Sequence, residues 1–278
     1  MSLFISSLNS GSNANCYYVD NSQEAVLIDA GLSCRETVSR MEQLGLSIEK
    51  VKAIFVSHEH GDHITGLPGL SKKYRLPVYI TPPTLAGSKL PIEPSLVFSF
   101  RKNKPTRIGN LSVLPFSKSH DAADPYSFMV SGHGVNVGII TDIGYACKQV
   151  IQHFGQCHAA FLESNYCVDM LANGSYPYHL KQRISGDQGH LSNAQAMELF
   201  LQYKSPDLQL LILSHLSKNN NSPELVEKLF NQGAGDTKII VASRYAATPV
   251  FCIPANAVTP SPEPRRRKTP DKRQLSLF

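Results

Sequence analysis

The chain has 278 residues, 42% of them hydrophobic and only 18% charged. That composition excludes wholesale disorder and allows one large or two small buried cores. The net charge is +5, but six basic residues (Arg265, Arg266, Arg267, Lys268, Lys272, Arg273) and only two acids (Glu263, Asp271) lie beyond Pro260. Four of the five net charges therefore belong to the tail; a nearly neutral body excludes a broad nucleic-acid-coating surface and leaves a localised basic arm.

The chain opens with short β-branched or aromatic runs, Leu3–Ser7, Cys16–Val19 and Ala25–Ile28, separated by Gly-, Ser- and Asn-rich turns. Val38, Met41 and Leu44 have helical spacing over 35–44, with Gly45 as the stop. A strand over Val51–Val56, a helix over Gly66–Tyr74 and a strand over Pro77–Ile80 follow. Further strands are predicted at Leu96–Phe100, Leu111–Phe116, Ser127–Val130, Val135–Ile140, Ala159–Leu162 and Leu208–Leu213. Helices are predicted at Cys147–Phe154, at Asn193–Tyr203 with an Asn193 cap, and at Pro223–Phe230 with a Ser222 cap and Pro at its first position. Lys238–Val241 and Val250–Ile253 close the pattern, which predicts a layered α/β domain with mostly antiparallel sheets over 1–253. Prolines and charges then replace apolar residues, so 254–273 reads as a disordered basic linker.

No apolar run approaches the ~20 residues of a membrane span, and the first ten residues carry no basic leader segment. Cys16, Cys34, Cys147, Cys157, Cys167 and Cys252 are scattered without a C-x-x-C pair. Reduced thiols in a cytoplasmic protein are expected.

The densest chemistry is Ser57-His58-Glu59-His60-Gly61-Asp62-His63, directly after a strand. Imidazole nitrogens and carboxylate oxygens suit borderline divalent ions. On a loop leaving a strand, His58 and His60 can face one ion while Asp62 and His63 face another. Further ligands belong where other strands end at the same crevice, and three residues meet that condition: His120, Asp142 and His215. Asp29, also at a strand end, reads as an acceptor that orients the histidine loop rather than as a ligand.

The order Asp29, His58-x-His60-x-Asp62-His63, His120, Asp142, His215 resembles the five motifs of the metallo-β-lactamase fold superfamily, over essentially residues 1–253. That resemblance implies an αββα sandwich with two divalent ions (Zn or Mn, with Mn favoured) at one edge. It places His58, His60 and His120 on the first ion, Asp62, His63 and His215 on the second, and Asp142 between them. An Asp at the fourth motif, where a true β-lactamase has Cys, favours the hydrolase and nuclease branches. Ser10–Asn15, Ile28–Leu32, Ser119–Pro125, Gly189-His-Leu-Ser-Asn193 and Leu213–Lys218 are similar to the YycJ-like (WalJ-like) group. That group implies a cytoplasmic 5′-to-3′ DNA exonuclease of DNA repair or replication. Ala14 departs from the group, which has Gly there.

For catalysis, Asp62 is the candidate acceptor of the water proton. His190, just before a helix N-terminus, is the candidate for leaving-group or phosphate contact. Tyr176–Arg183 mixes aromatic and basic residues that either stack bases and hold phosphates or form a covering loop. His133, His153, His158 and His179 have no ligand-like context. The last residues, Gln274-Leu-Ser-Leu-Phe278, place apolar anchors on a flexible arm. They resemble the bacterial sliding-clamp-binding motif, with Gln274, Leu275, Leu277 and Phe278 as contacts. Alternatives are a small-molecule cyclic or diester phosphodiesterase of the PhnP type, an RNA-processing nuclease, a thioester hydrolase and a non-catalytic clamp-associated adaptor.

Overall fold

Side chains alternate between the two faces of a strand, so an apolar run on a buried strand must fill two cores at once. A computed structural model, which describes residues 1–255, shows how this chain does so. Its first half runs β1 (Ser2–Asn9), β2 (Cys16–Asp20), β3 (Ala25–Ile28), α1 (Cys34–Gln43), β4 (Val51–Phe55), α2 (Gly61–Ile64), α3 (Leu67–Tyr74), β5 (Val78–Tyr79), α4 (Pro82–Ser88) and β6 (Val97–Phe98). The second half runs β7 (Thr106–Ile108), β8 (Leu111–Ser117), β9 (Tyr126–Gly132), β10 (Val135–Ile140), α5 (Lys148–Phe154), β11 (Ala159–Glu163), α6 (Val168–Asn173), α7 (Tyr178–Ser185), α8 (Asn193–Tyr203), β12 (Leu210–Ser214), α9 (Pro223–Asn231), β13 (Lys238–Val241) and β14 (Phe251–Pro254).

Two seven-stranded sheets result, ordered β14-β1-β2-β3-β4-β5-β6 and β13-β12-β11-β10-β9-β8-β7. Between them, Val26, Ile28, Phe55 and Tyr17 of the first sheet pack with Val137, Ile139, Phe161 and Ile212 of the second. The alternate residues Leu27, Ile54 and Tyr18 face the other way, toward Met41 of α1 and Leu67 and Leu70 of α3. Ala160, Leu162, Leu211 and Leu213 likewise meet Phe154 of α5, Phe200 of α8 and Phe230 of α9. This is the αββα metallo-β-lactamase fold.

The expectation of mostly antiparallel sheets is corrected. β3 through β6 pair in parallel, as do β10 through β13, so parallel ladders equal antiparallel ones. Helical crossovers between these strands demand it. The short helices α2, α4, α6 and α7 were not foreseen, and α2 takes Asp62 and His63 out of the expected loop. In α7 the apolar residues are too few to show a period, and Tyr178 and His179 are exposed. The cap of α8 is Ser192, whose hydroxyl accepts from Gln195 N–H at 3.2 Å in a capping box. Asn193 instead spends its amide on Ser164 and Asn221. Ser222 caps α9 as expected. Ala14 packs its methyl group into the core beneath α1 and α3.

No helix among the described residues is long and apolar enough to cross a membrane. Replacing Ser192 with Ala removes one face of the capping box and should lower the unfolding free energy by about 1 kcal/mol, read by urea denaturation. An unchanged midpoint would contradict the capping assignment.

Candidate metal centre

The parallel half of each sheet sends its strand ends to one edge, and the polar residues collect there. Asp29 follows β3, His58 follows β4, His120 follows β8, Asp142 follows β10 and His215 follows β12. Asp29, Asp142 and His215 adopt left-handed backbone conformations, with φ of 61°, 55° and 57°. Asp and His are among the side chains that tolerate this region best. His60 is the N-cap of the single-turn α2, which carries Asp62 and His63. Gly31 lets this turn close on the strand ends: a Cβ there would lie 1.7 Å from the Asp62 carbonyl oxygen.

All the metal-ligand candidates named from sequence converge. One cluster joins His58, His60 and His120, another Asp62, His63 and His215, and Asp142 sits with His58 and His63 and also with His215. One Asp142 oxygen lies 3.4 Å from His63 Nε2 and the other 3.4 Å from His215 Nε2. Asp62 Oδ2 lies 3.4 and 3.6 Å from the same two nitrogens.

Each buried ring is fixed through its other nitrogen. His63 Nδ1–H donates to Asp29 Oδ2 at 2.7 Å. Asp29 also accepts from the Ser57 amide and hydroxyl, both at 2.8 Å. Ser57 Oγ in turn lies 2.8 Å from His58 Nδ1. His120 Nδ1–H donates to the Gly189 carbonyl at 3.1 Å, and His215 Nδ1–H to Glu163 Oε1 at 3.0 Å. The Nε2 atoms of His58, His120 and His215 and one Asp142 oxygen are thereby left buried without a hydrogen-bond partner. Buried polar groups are rarely orphaned. Orphans that converge, with nitrogen and carboxylate donors, fit divalent cations.

Glu163 was not foreseen. It ends β11, is fully buried, and accepts from His190 Nδ1–H at 2.8 Å, His215 Nδ1–H, and the amides of Ile143 and Leu191 at 2.8 and 3.2 Å. Its signal was present in the sequence, as an acid closing an apolar strand like the other site residues. Asn15 was also missed; its side-chain amide lies 3.0 Å from both Asp62 Oδ2 and His63 Nε2.

His190 is at the site, its ring 5.2 Å from those of both His120 and His215. Arg183 is differently occupied from the phosphate-holding reading, since its Nε donates to Asp121 Oδ2 at 2.6 Å. His153 packs on Phe116, and His158 Nδ1 accepts the Asn136 amide. Gln274, Leu275, Leu277 and Phe278, like the 256–273 part of the basic linker, lie outside the described residues. All six cysteines are free.

Two electrostatic populations emerge. Burial, reinforced by neighbouring cations, holds His58 well below its usual range and His120 at about 4. Burial acts the same way on His63 and His215, but nearby carboxylates outweigh it. Asp142, Asp62 and Asp29 raise His63 well above its usual value, and Asp142, Asp62 and Glu163 raise His215 to about 10. Glu163 is held down to about 2 against the opposing effect of burial, chiefly by His190.

Residues 24–216 match the β-lactamase superfamily domain, and the chain belongs to that family. It is a metal-dependent hydrolase, and its donor set is one for divalent ions. It is 36% identical over 238 residues to the exodeoxyribonuclease YycJ of Bacillus anthracis, covering 84% of this chain and 89% of the relative. Against the exodeoxyribonuclease WalJ of Streptococcus pneumoniae D39 it is 33% identical over 256 residues, covering 87% and 95%. In fold it is similar to the metallo-β-lactamase fold protein YhfI of Bacillus subtilis, with a TM-score of 0.72 at 15% identity over 91% of this chain and 100% of that one.

The raised histidines set a pH dependence. Metal-free His63 and His215 carry protons at neutral pH, and a cation must displace them. Metal binding should therefore release protons at pH 7.5, and affinity should weaken as pH falls from 8 to 6. Calorimetry in buffers of different ionisation enthalpy measures both; a pH-independent affinity would contradict the assignment.

Proposed function

We propose that this protein is a 5′-to-3′ DNA exonuclease that works through a dinuclear centre. The observation that carries the reading is Asp142, which clusters with His58 of one histidine group and faces His63 and His215 of the other, within a chain covered over more than four fifths of its length by similarity to two exodeoxyribonucleases. His58, His60 and His120 would hold one ion and Asp62, His63 and His215 the other, with Asp142 shared between the two groups. Zn and Mn both suit these donors, and the resemblance to the YycJ-like group favours Mn.

When bound, two such ions supply an activated water nucleophile and offset the charge of the phosphoryl oxygens. Asp62, oriented by Asn15, accepts the proton of the attacking water. His190 delivers a proton to the leaving 3′ oxygen. Its Nδ1 is occupied by Glu163, which turns Nε2 toward substrate. Asp29 and Glu163 act through the rings they orient, fixing His63 on one side and His190 and His215 on the other. An RNA-processing or small-diester activity uses the same centre, so the substrate is decided by assay.

Metal-reconstituted protein should degrade 5′-labelled DNA in preference to RNA and to a chromogenic diester. Turnover of the small ester alone would overturn the reading. His60→Ala and Asp142→Ala should abolish nuclease activity with an unchanged circular dichroism spectrum. His190→Gln should lower kcat by about 10²-fold or more.

The free thiols suit a reducing cytoplasm. We further propose that Gln274, Leu275, Leu277 and Phe278 dock on the sliding clamp and bring the enzyme to replicating or repaired DNA. Deleting residues 274–278 should abolish clamp binding measured by calorimetry. Absence of binding by the full-length protein at about 100 μM clamp would refute it, because such short motifs bind in the micromolar range.

A further inference from the structure

Beside the metal centre lies a cavity of about 370 Å³, within the range that holds small organic ligands. None of the converging metal-ligand candidates lines it. It adjoins them through Leu216, which follows His215, and through Ser10, whose hydroxyl accepts the His215 amide at 2.8 Å.

Its lining combines two kinds of chemistry. Leu216, Pro223, Val241 and Ala242 provide an apolar wall. Lys218 and Arg244 bring positive charge, and Tyr245 brings an aromatic ring that is 72% exposed. Among the described residues neither cation forms an ion pair, in contrast to Arg183, whose charge is spent on Asp121. Arg244 is held in place through its backbone and side chain. Its carbonyl accepts from Asn13 Nδ2 at 2.9 Å, and its guanidinium donates to the Leu216 carbonyl at 3.1 Å and to Ser12 Oγ at 3.3 Å. Arg244 retains further N–H donors. The Tyr245 carbonyl is anchored by Arg40 at 3.1 Å, so the exposed ring stands on a fixed backbone.

We propose that this cavity is a nucleotide subsite, which takes the base and phosphate of the single strand next to the cut. The base stacks on Tyr245 against the apolar wall, and the phosphate meets Lys218 and Arg244. Stacking on an aromatic ring beside a cationic groove is tolerant of sequence, as a nuclease that degrades DNA of any sequence requires. The inference rests on the nuclease reading above and adds where the strand is gripped.

The test uses metal-loaded protein and two exposed-residue variants, Lys218→Ala and Tyr245→Ala. KM for a single-stranded oligonucleotide should rise about tenfold in each, as expected for the loss of one stacking or phosphate contact. Turnover of bis(p-nitrophenyl) phosphate, which brings neither a nucleobase nor a flanking phosphate to the cavity, should stay within about twofold. Calorimetric titration with dTMP should show about tenfold weaker binding by both variants. DNA cleavage with an unchanged KM and unchanged dTMP affinity in both variants would overturn the subsite while leaving the nuclease reading intact. Variant-sensitive dTMP binding by a wild type that cleaves no DNA would support the subsite and sink the nuclease reading.

Discussion

Everything at the catalytic edge follows from one constraint: imidazole and carboxylate groups are buried facing each other, with polar atoms left unpaired. Each such orphan costs roughly 1–3 kcal/mol in a folded protein. A protein keeps several only where the rest of its structure holds them against collapse. Here that support comes from two fully buried acids, Asp29 and Glu163. Asp29 fixes Ser57 and His63; Glu163 fixes His190 and His215. Each acid sits at the end of a strand in a different sheet. The centre is therefore clamped across the sandwich, and its donors are preorganised.

The backbone contributes the same preorganisation. A left-handed conformation costs a non-glycine residue about 1–2 kcal/mol, and three site residues carry it. In each case the strand has just left the sheet, and the turn aims a side chain across the edge instead of along it. The cost is sustained by the cores on both faces of β3, β10 and β12, where alternate residues anchor the strand before it turns. The site is strained locally and rigid globally, the usual relation between strain and function.

The sequence made this edge legible because strand ends are marked twice, by the loss of apolar residues and by the arrival of His or Asp. His58, His120, Asp142 and His215 carry both marks. Glu163 carries them too, but the strand was ended at Leu162, one residue short of the acid. That error is small along the chain and large in chemistry, since Glu163 binds two of the catalytic-edge histidines. Strand direction was less legible. Antiparallel hairpins and parallel crossovers share the same apolar alternation, and the helices lying between strands, α1, α3 and α4 in the first half, are what distinguish them. α4 itself begins Pro82-Pro83, and proline is at home in a first helical turn. Asn193 and Ser192 are both good caps, so composition alone did not separate them, whereas the Gln195 side chain, three residues after Ser192, does.

Charge ties the parts together. Asp29, Asp62, Asp142 and Glu163 concentrate carboxylates at the edge where a phosphodiester would react. Arg183 does not relieve this, being paired with Asp121. Protonated His63 and His215 offset part of the negative charge, but those protons leave when cations bind. On the nuclease reading, one divalent ion would take the place of the two protons of His63 and His215, and the ion held by His58, His60 and His120 would add positive charge at the point where the phosphate arrives. The body's near-neutrality is then no argument against a nucleic-acid substrate. At the cleavage edge attraction comes from the metal centre and from Lys218 and Arg244 beside it, so the strand is drawn to the place of cleavage.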